Sequence, residues 1–334
     1  MNLYEQESYN KRQTWLIVLV FIGFFAFLGL GFDAWVMRGS VGDFRHSPVS
    51  SLPLAGWPVG TMTALAVGGL MSYVSYRNGP GMVLKASGAR PADPAVPEEN
   101  QLIHVVQEMG IAAGLPVPRV YIVPDSDPNA FATGTNPQNS VVAVTQGLLK
   151  QLNREELQGV IAHEMGHIRN YDVRLMTILA ALTGAIALLS DWTGRVLRFG
   201  GVRGRNGGRK GIGGPVGLVL LAAWVLLMLV APLLSRLLAL AVSRKREYLA
   251  DASGAELTRN PLALASALEK IEKAVEPTTS VHHGLAHLCI ADPKGSLMGQ
   301  KEGFLADWLA THPPMGKRIL ALKVMAYQIQ GGLA

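Results

Sequence analysis

The stretch Val160-Ile161-Ala162-His163-Glu164-Met165-Gly166-His167-Ile168-Arg169-Asn170 decides how the rest of this chain is read. It contains H-E-x-x-H. On an α-helix, residues four apart are separated by about 6 Å of rise and about 40° of rotation, so their side chains leave one face. Two imidazoles so placed can reach a single ion. Glu164 follows the first histidine by one residue, which turns its carboxylate toward a water rather than the ion. The pattern predicts a helix that binds zinc and uses Glu164 as general base, as in a metallopeptidase. Leu157, Val160, Ile161 and Ile168 recur at helical spacing around it, so the motif helix buries one side. Two histidines and a glutamate on such a helix need partners, because uncompensated polar burial is costly. Asn153, with Glu156 three residues on, predicts a capping box that opens this helix.

A catalytic zinc ordinarily takes three protein ligands and leaves a fourth position for water. Glu247 is the best candidate for the third. In Arg244-Lys245-Arg246-Glu247-Tyr248-Leu249-Ala250-Asp251 it stands four residues before Asp251. That spacing suits one carboxylate on the metal and a second accepting the far ring N–H of a ligand imidazole. The competing reading is a solvated helix face on which Glu247 pairs with a nearby Lys or Arg; beside H-E-x-x-H the ligand reading is preferred. His282, His283 and His287 form another histidine group. No carboxylate accompanies them, so they read as a polar loop or helix end rather than a second metal site.

Upstream, Leu102, Val105, Val106 and Met109 recur at helical spacing up to Gly114 and Pro116. Three short strands follow at residues 120–123, 129–133 and 141–145, separated by turn-rich pieces. The ordered set His163-Glu-x-x-His167-x-x-Asn170-x-Asp172, Glu247-Tyr-x-Ala-Asp251 and Thr311-His312-Pro313-Pro314 with Arg318 beyond it resembles the HtpX family of membrane zinc metalloproteases. The wider clan of gluzincins includes the CAAX prenyl endoproteases. Asn129-Ala130-Phe131-Ala132 resembles the family's edge-strand motif, and the likeness covers most of residues 100–330.

The resemblance implies roles. One Zn2+ per chain is held by His163, His167 and Glu247, with Asp251 behind them. Glu164 activates the water that attacks a peptide carbonyl. His312 helps stabilise the oxyanion, its alternative being a surface-loop histidine ahead of two prolines. Asn129, Ala130, Phe131 and Ala132 bind substrate backbone by strand addition. The implied function is endoproteolysis of polypeptides, chiefly misfolded membrane proteins, at a cytoplasmic active site in a bacterial inner membrane.

Composition fits a membrane protein. Hydrophobic residues make up 49% of the chain and charged residues 16%, against about 25% charge in a soluble domain. The charge deficit is concentrated in uncharged runs. Residues 15–32 and 54–74 are each long enough to span a bilayer. The run 175–190 is shorter, 212–235 is longer, and a Gly-rich basic loop at 195–210 lies between them. The polar first 13 residues and the length of the run after them do not form a signal peptide. The net charge of +6 is read as basic flanks beside anionic lipid; no aromatic-plus-basic module points to nucleic acid. Cys289 stands alone, which excludes an internal disulfide.

The metal ligands can meet only if the chain between them crosses the membrane zero times or twice. The third and fourth runs therefore either both span or form a shallow hairpin. Basic residues are nearly balanced across the two sides, and the positive-inside rule does not fix orientation.

The expected fold is α+β: a mostly helical zincin-like metallopeptidase domain with a small sheet, plus about four transmembrane helices in two hairpins. Residues 1–76 form the tail and first hairpin, 77–172 the first part of the peptidase domain, 173–243 the second hairpin, and 244–334 the second part. Residues 77–99, rich in Pro, Gly and Ala, read as a linker. Two rival functions are a CAAX-type prenyl-protein endoprotease, which needs more spans, and a non-proteolytic zinc-binding scaffold, which needs no Glu164.

Overall fold

A computed structural model describes residues 3–39, 58–199, 244–274, 288–290 and 313–331. The described residues of Met1–Thr14, Asn78–Ala181 and Ser235–Ala334 form one compact unit, and those of Trp15–Arg77 and Leu182–Leu234 form a second.

The first unit is built on a four-stranded sheet. Its strands are β1 (Arg90–Pro91), β2 (Arg119–Val123), β3 (Ala130–Gly134) and β4 (Ser140–Thr145), in the order β1-β2-β4-β3. β2 and β4 run parallel; β1 and β3 are antiparallel to their neighbours. The three longer strands fall within one residue of the positions expected from sequence. Every residue of β3 and β4 is buried, so neither shows the alternation of a strand with one wet face.

Helices cover this sheet. α3 (Pro97–Ala113) begins with a proline in its first turn and ends at Gly114, whose φ of 65° is the left-handed conformation that glycine tolerates best. α4 (Gln146–Gln151) leads into α5 (Arg154–Arg169), the motif helix, which opens with the expected capping box of Asn153 and Glu156. α7 (Arg244–Thr258), α8 (Pro261–Glu272) and α9 (Met315–Gly331) complete the unit. Leu102, Ile122, Val142, Ile161 and Leu268, each 0% exposed, mark the shared core of sheet and helices.

α1 (Leu3–Gly39) and α2 (Val59–Ala86) supply most of the second unit's described residues. The two approach closely there, since a Cβ on Gly29 would meet the Thr61 Cα at 2.4 Å. The start of α2 is tied to α1 by Asp33, whose carboxylate accepts from Gly60 N, Thr61 N (both 2.8 Å) and Thr61 Oγ1 (2.6 Å). Trp15, Leu19, Phe27, Leu65, Leu70 and Tyr73 on these helices are all exposed.

Ser8–Gly31 is long and apolar enough to cross a membrane, and it is the one such helix among the described residues. The second expected run enters α2, the third lies in α6 (Asp172–Phe199), and the fourth falls outside the described residues. Leu175, Ile178, Leu179 and Ala181 at the start of α6 are buried in the first unit. The linker expected at 77–99 is corrected in part: α2 continues to Ala86 despite Pro80. A proline inside a helix removes one backbone bond and crowds the preceding turn. Packing outweighs this, because Val83 and Leu84 are buried and Gly79 lets α2 approach Thr177 closely.

Candidate active site

α5 and α7 cross at small residues. A Cβ on Gly254 would lie 3.1 Å from the His163 backbone nitrogen, and one on Gly166 would lie 3.2 Å from the Ala250 Cα. This contact brings the buried face of α7, with Glu247 and Asp251 four apart, against the histidines of α5. Among the described residues, His163, His167 and Glu247 form the one group of three metal-ligating side chains whose donor atoms all lie within 4.8 Å. The two Nε2 atoms are 3.2 Å apart. Glu247 oxygens lie 3.9 Å from His163 Nε2 and 3.7 Å from His167 Nε2.

Each imidazole is held from behind by a carboxylate. Asp251 Oδ1 is 2.9 Å from His163 Nδ1, and Asp172 Oδ2 is 3.2 Å from His167 Nδ1. A carboxylate there takes a ring N–H and leaves the other nitrogen with its lone pair. With both rings neutral, two Nε2 lone pairs face each other across 3.2 Å, an arrangement that a cation relieves, either a proton on His167 or a shared metal ion. The separation is close to the roughly 3.3 Å between two nitrogens bound at about 2.0–2.1 Å to one tetrahedral ion. The donor set therefore fits a divalent metal.

Arg318 supports the first of these carboxylates. It is 0% exposed, on α9, and grips Asp251 with two bonds, Nε to Oδ2 at 2.8 Å and an NH2 to Oδ1 at 2.7 Å. Its remaining nitrogen donates to Ile290 O at 2.9 Å and lies 3.5 Å from Glu247. Burial alone would raise the Asp251 carboxyl, but the adjacent guanidinium outweighs it and holds the pKa at about 2. Asp251 is therefore ionised at neutral pH.

Glu164 is 1% exposed, and neither of its oxygens accepts a hydrogen bond of ordinary length from the described residues. Burial raises its carboxyl above the usual range, against the pull of the His163 and His167 rings. It lines a small cavity with Ala132, His167, Val173, Met176, Glu247 and Leu288. The carboxylate thus faces a small cavity beside the three donor atoms.

β3 passes at the rim of this cavity. Its inner edge pairs with β4, and at Asn129 the backbone exchanges bonds with Thr145. At its outer edge Ala130 O accepts from Ile290 N at 3.0 Å, and Phe131 bridges Cys289. The Asn129 side chain accepts from Ala130 N. Part of the strand expected to bind substrate is therefore already paired. His312, and the group His282, His283 and His287, fall outside the described residues.

Asp172 and Arg318 stand within the sequence motifs, but nothing in their local pattern assigns either a role. Both act through contacts made by elements distant in the chain. For Asp172 the available signal was a carboxylate five residues after a candidate ligand, just beyond the end of its helix.

Peptidase family M48 matches residues 97–326. The protein named Protease HtpX homolog of Streptococcus gordonii is 39% identical over 323 residues, which is 97% of this chain and all of that one. Its namesake in Streptococcus pneumoniae serotype 4 is 38% identical over the same share of both chains. The crystal structure of S. mikatae Ste24p superposes with a TM-score of 0.41 at 17% identity, over 78% of this chain and 64% of that one.

Proposed function

The chain belongs to peptidase family M48, and from that premise we propose that it is a membrane-bound zinc endopeptidase of polypeptides. The observation that carries the reading is the facing pair of Nε2 atoms, 3.2 Å apart and flanked by Glu247, beside a buried Glu164 that accepts no hydrogen bond of ordinary length from the described residues. Zinc held by His163, His167 and Glu247 would polarise the scissile carbonyl and make water more acidic. The chain's own residues do the rest. Glu164 takes a proton from the attacking water, holds it on a carboxyl whose pKa burial has raised, and passes it to the departing amine. Asp251 and Asp172 keep each histidine in the tautomer that presents Nε2.

Substrate backbone adds to β3 at Ala132 and, at Ala130, competes with Ile290 for the outward carbonyl. The family resemblance adds His312, outside the described residues, as the group that helps stabilise the oxyanion. The long apolar helix and the exposed apolar side chains of α1 and α2 suit a lipid bilayer. Misfolded membrane proteins, met at the cytoplasmic face of a bacterial inner membrane, are the substrate class that follows. A zinc-binding scaffold would leave unexplained why a carboxylate without an ordinary hydrogen bond from the described residues is buried beside the ligands.

Detergent-purified protein is expected to carry about one zinc per chain and to cleave an unfolded reporter protein. Chelation should abolish cleavage and equimolar zinc should restore it. Full activity in metal-free protein would overturn the reading.

Metal uptake has a further signature in protons. Burial depresses the His167 imidazolium, but the Asp172 hydrogen bond and the charges of Glu247, Asp172 and Glu164 outweigh it and push its pKa up to about 9. The folded value is raised above the ordinary 6.5. Protonated His167 therefore stabilises the metal-free fold fully below 6.5, and that contribution is lost as pH rises through about 9. Zinc must displace this proton. Binding at pH 7.5 should release about one proton per site, a release that fades above about pH 9. Calorimetry in two buffers of different ionisation enthalpy reads this directly, and equal heats at pH 7.5 would contradict it.

A further inference from the structure

The start of α1 reaches the active site. Asn10 is 0% exposed and lies in the first turn of the apolar helix, yet its side-chain amide points into the turn that joins α5 to α6. Nδ2 donates to Asp172 Oδ1 at 2.6 Å and to Asn170 O at 2.8 Å. Flipping the amide would set an oxygen against a carboxylate and a carbonyl, so chemistry requires the donor in this place. Asp172 is itself 0% exposed and spends its other oxygen on His167 Nδ1. A line of contacts therefore runs from Asn10 through Asp172 and His167 to the three-donor group.

Two features of the neighbourhood mark this as a built contact. The turn it braces holds Tyr171 at a φ of 59°, in the left-handed region that a bulky residue occupies only when its surroundings impose it. The Lys11 ammonium lies 4.7 Å over the Tyr171 ring. Asn10 Oδ1 finds no hydrogen-bond partner among the described residues. An asparagine buried with half its amide unsatisfied costs stability, and only its donor half has a use here.

We propose that Asn10 is a positioning residue for the metal site: by holding Asp172 from the N-terminal helix, it fixes the orientation of His167. On this view the first apolar helix is part of the site's scaffold as well as an anchor. The inference rests on the zinc-peptidase reading above.

The informative variants are Asn10→Asp and the pair Asn10→Asp with Asp172→Asn. The first keeps the shape, removes the donor and sets two carboxylates together. The pair reverses the bond to residue 172, because an amide there can donate to residue 10 and still accept from His167 Nδ1, while the bond to Asn170 O stays lost and limits the recovery. Asn10→Leu serves where Asn10→Asp does not fold, and Arg12→Ala, an exposed neighbour, controls for general damage to the helix. Each full-length protein is purified in detergent, and zinc affinity is measured by chelator competition beside kcat and KM.

Zinc binding should weaken about tenfold in Asn10→Asp, with kcat falling and KM unchanged, because Asn10 does not touch the cleft. The double variant should recover at least part of that affinity, and Arg12→Ala should behave as wild type. Wild-type zinc affinity in Asn10→Asp or Asn10→Leu would overturn the proposal, as would an equal loss in Arg12→Ala. A wild type that binds no zinc would instead sink the underlying zinc-peptidase reading, so the two failures are distinguishable.

Discussion

Glu164→Gln is expected to lower kcat by roughly a thousandfold while the protein keeps its zinc and its fold. The geometry explains why the loss should be so clean. Glutamine has nearly the same shape, and it enters a site where neither glutamate oxygen accepts a hydrogen bond from the described residues. Beyond the weak pull of the Ala132 backbone on the carboxylate, little packing or bonding among the described residues is surrendered. The ligand atoms belong to His163, His167 and Glu247, none of which takes a hydrogen bond from Glu164 among the described residues. The amide cannot accept the water's proton, so the effect falls on the chemical step, with KM nearly unchanged. Zinc content and melting temperature measured beside cleavage make the result decisive. An active variant would move the base elsewhere. Inactivity of both wild type and variant, with zinc present in each, would return the scaffold and prenyl-protease readings to the front.

How much of this was legible in the sequence depends on the range of the interaction. The capping box of α5 and the end of α3 at Gly114 are local, since each is written within a few residues. The helical spacing of H-E-x-x-H and of Glu247 with Asp251 placed donors on single faces, and the strand segments stood out by their apolar runs. The extension of α2 through Pro80 was not legible, because local propensity argued against it and distant packing decides it. Asp172, Arg318 and Asn10 share a second difficulty. The Asn10 to Asp172 contact spans 162 residues and the Arg318 to Asp251 contact spans 67. No periodicity connects such positions, and a lone Asn in a polar tail looks like any solvated residue. Only the fold shows that both carboxylates behind the histidines are held in turn.

Arg318 is where that arrangement should prove most costly to disturb. Arg318→Met is expected to destabilise the protein by about 3–5 kcal/mol, seen in detergent as a fall of roughly 10 °C in apparent melting temperature. A fully buried guanidinium gains little net stability from its ion pair, because its own desolvation offsets the attraction. Its removal is another matter. Asp251 is 2% exposed and would lose its cation beside a Glu247 that is equally buried, so its charge is left unpaired or must be neutralised, and either is costly. The pKa of about 2 that Arg318 imposes on Asp251 would rise. In the intact protein Asp251 contributes stability above its ordinary value of 3.8, lost only as pH falls through about 2. In the variant that contribution shrinks, so there is less of it to lose in acid, and the stability gap between Arg318→Met and wild type should narrow as pH falls. Adding Asp251→Asn should recover more than half of the melting temperature, because the unpaired charge is gone while an oxygen remains to accept from His163 Nδ1. Zinc affinity should recover less, since a neutral amide orients and polarises imidazole more weakly than a carboxylate. If the double variant melts no higher than Arg318→Met, the cost lies in lost packing of the arginine side chain and its bond to Ile290 O, and the charge argument fails.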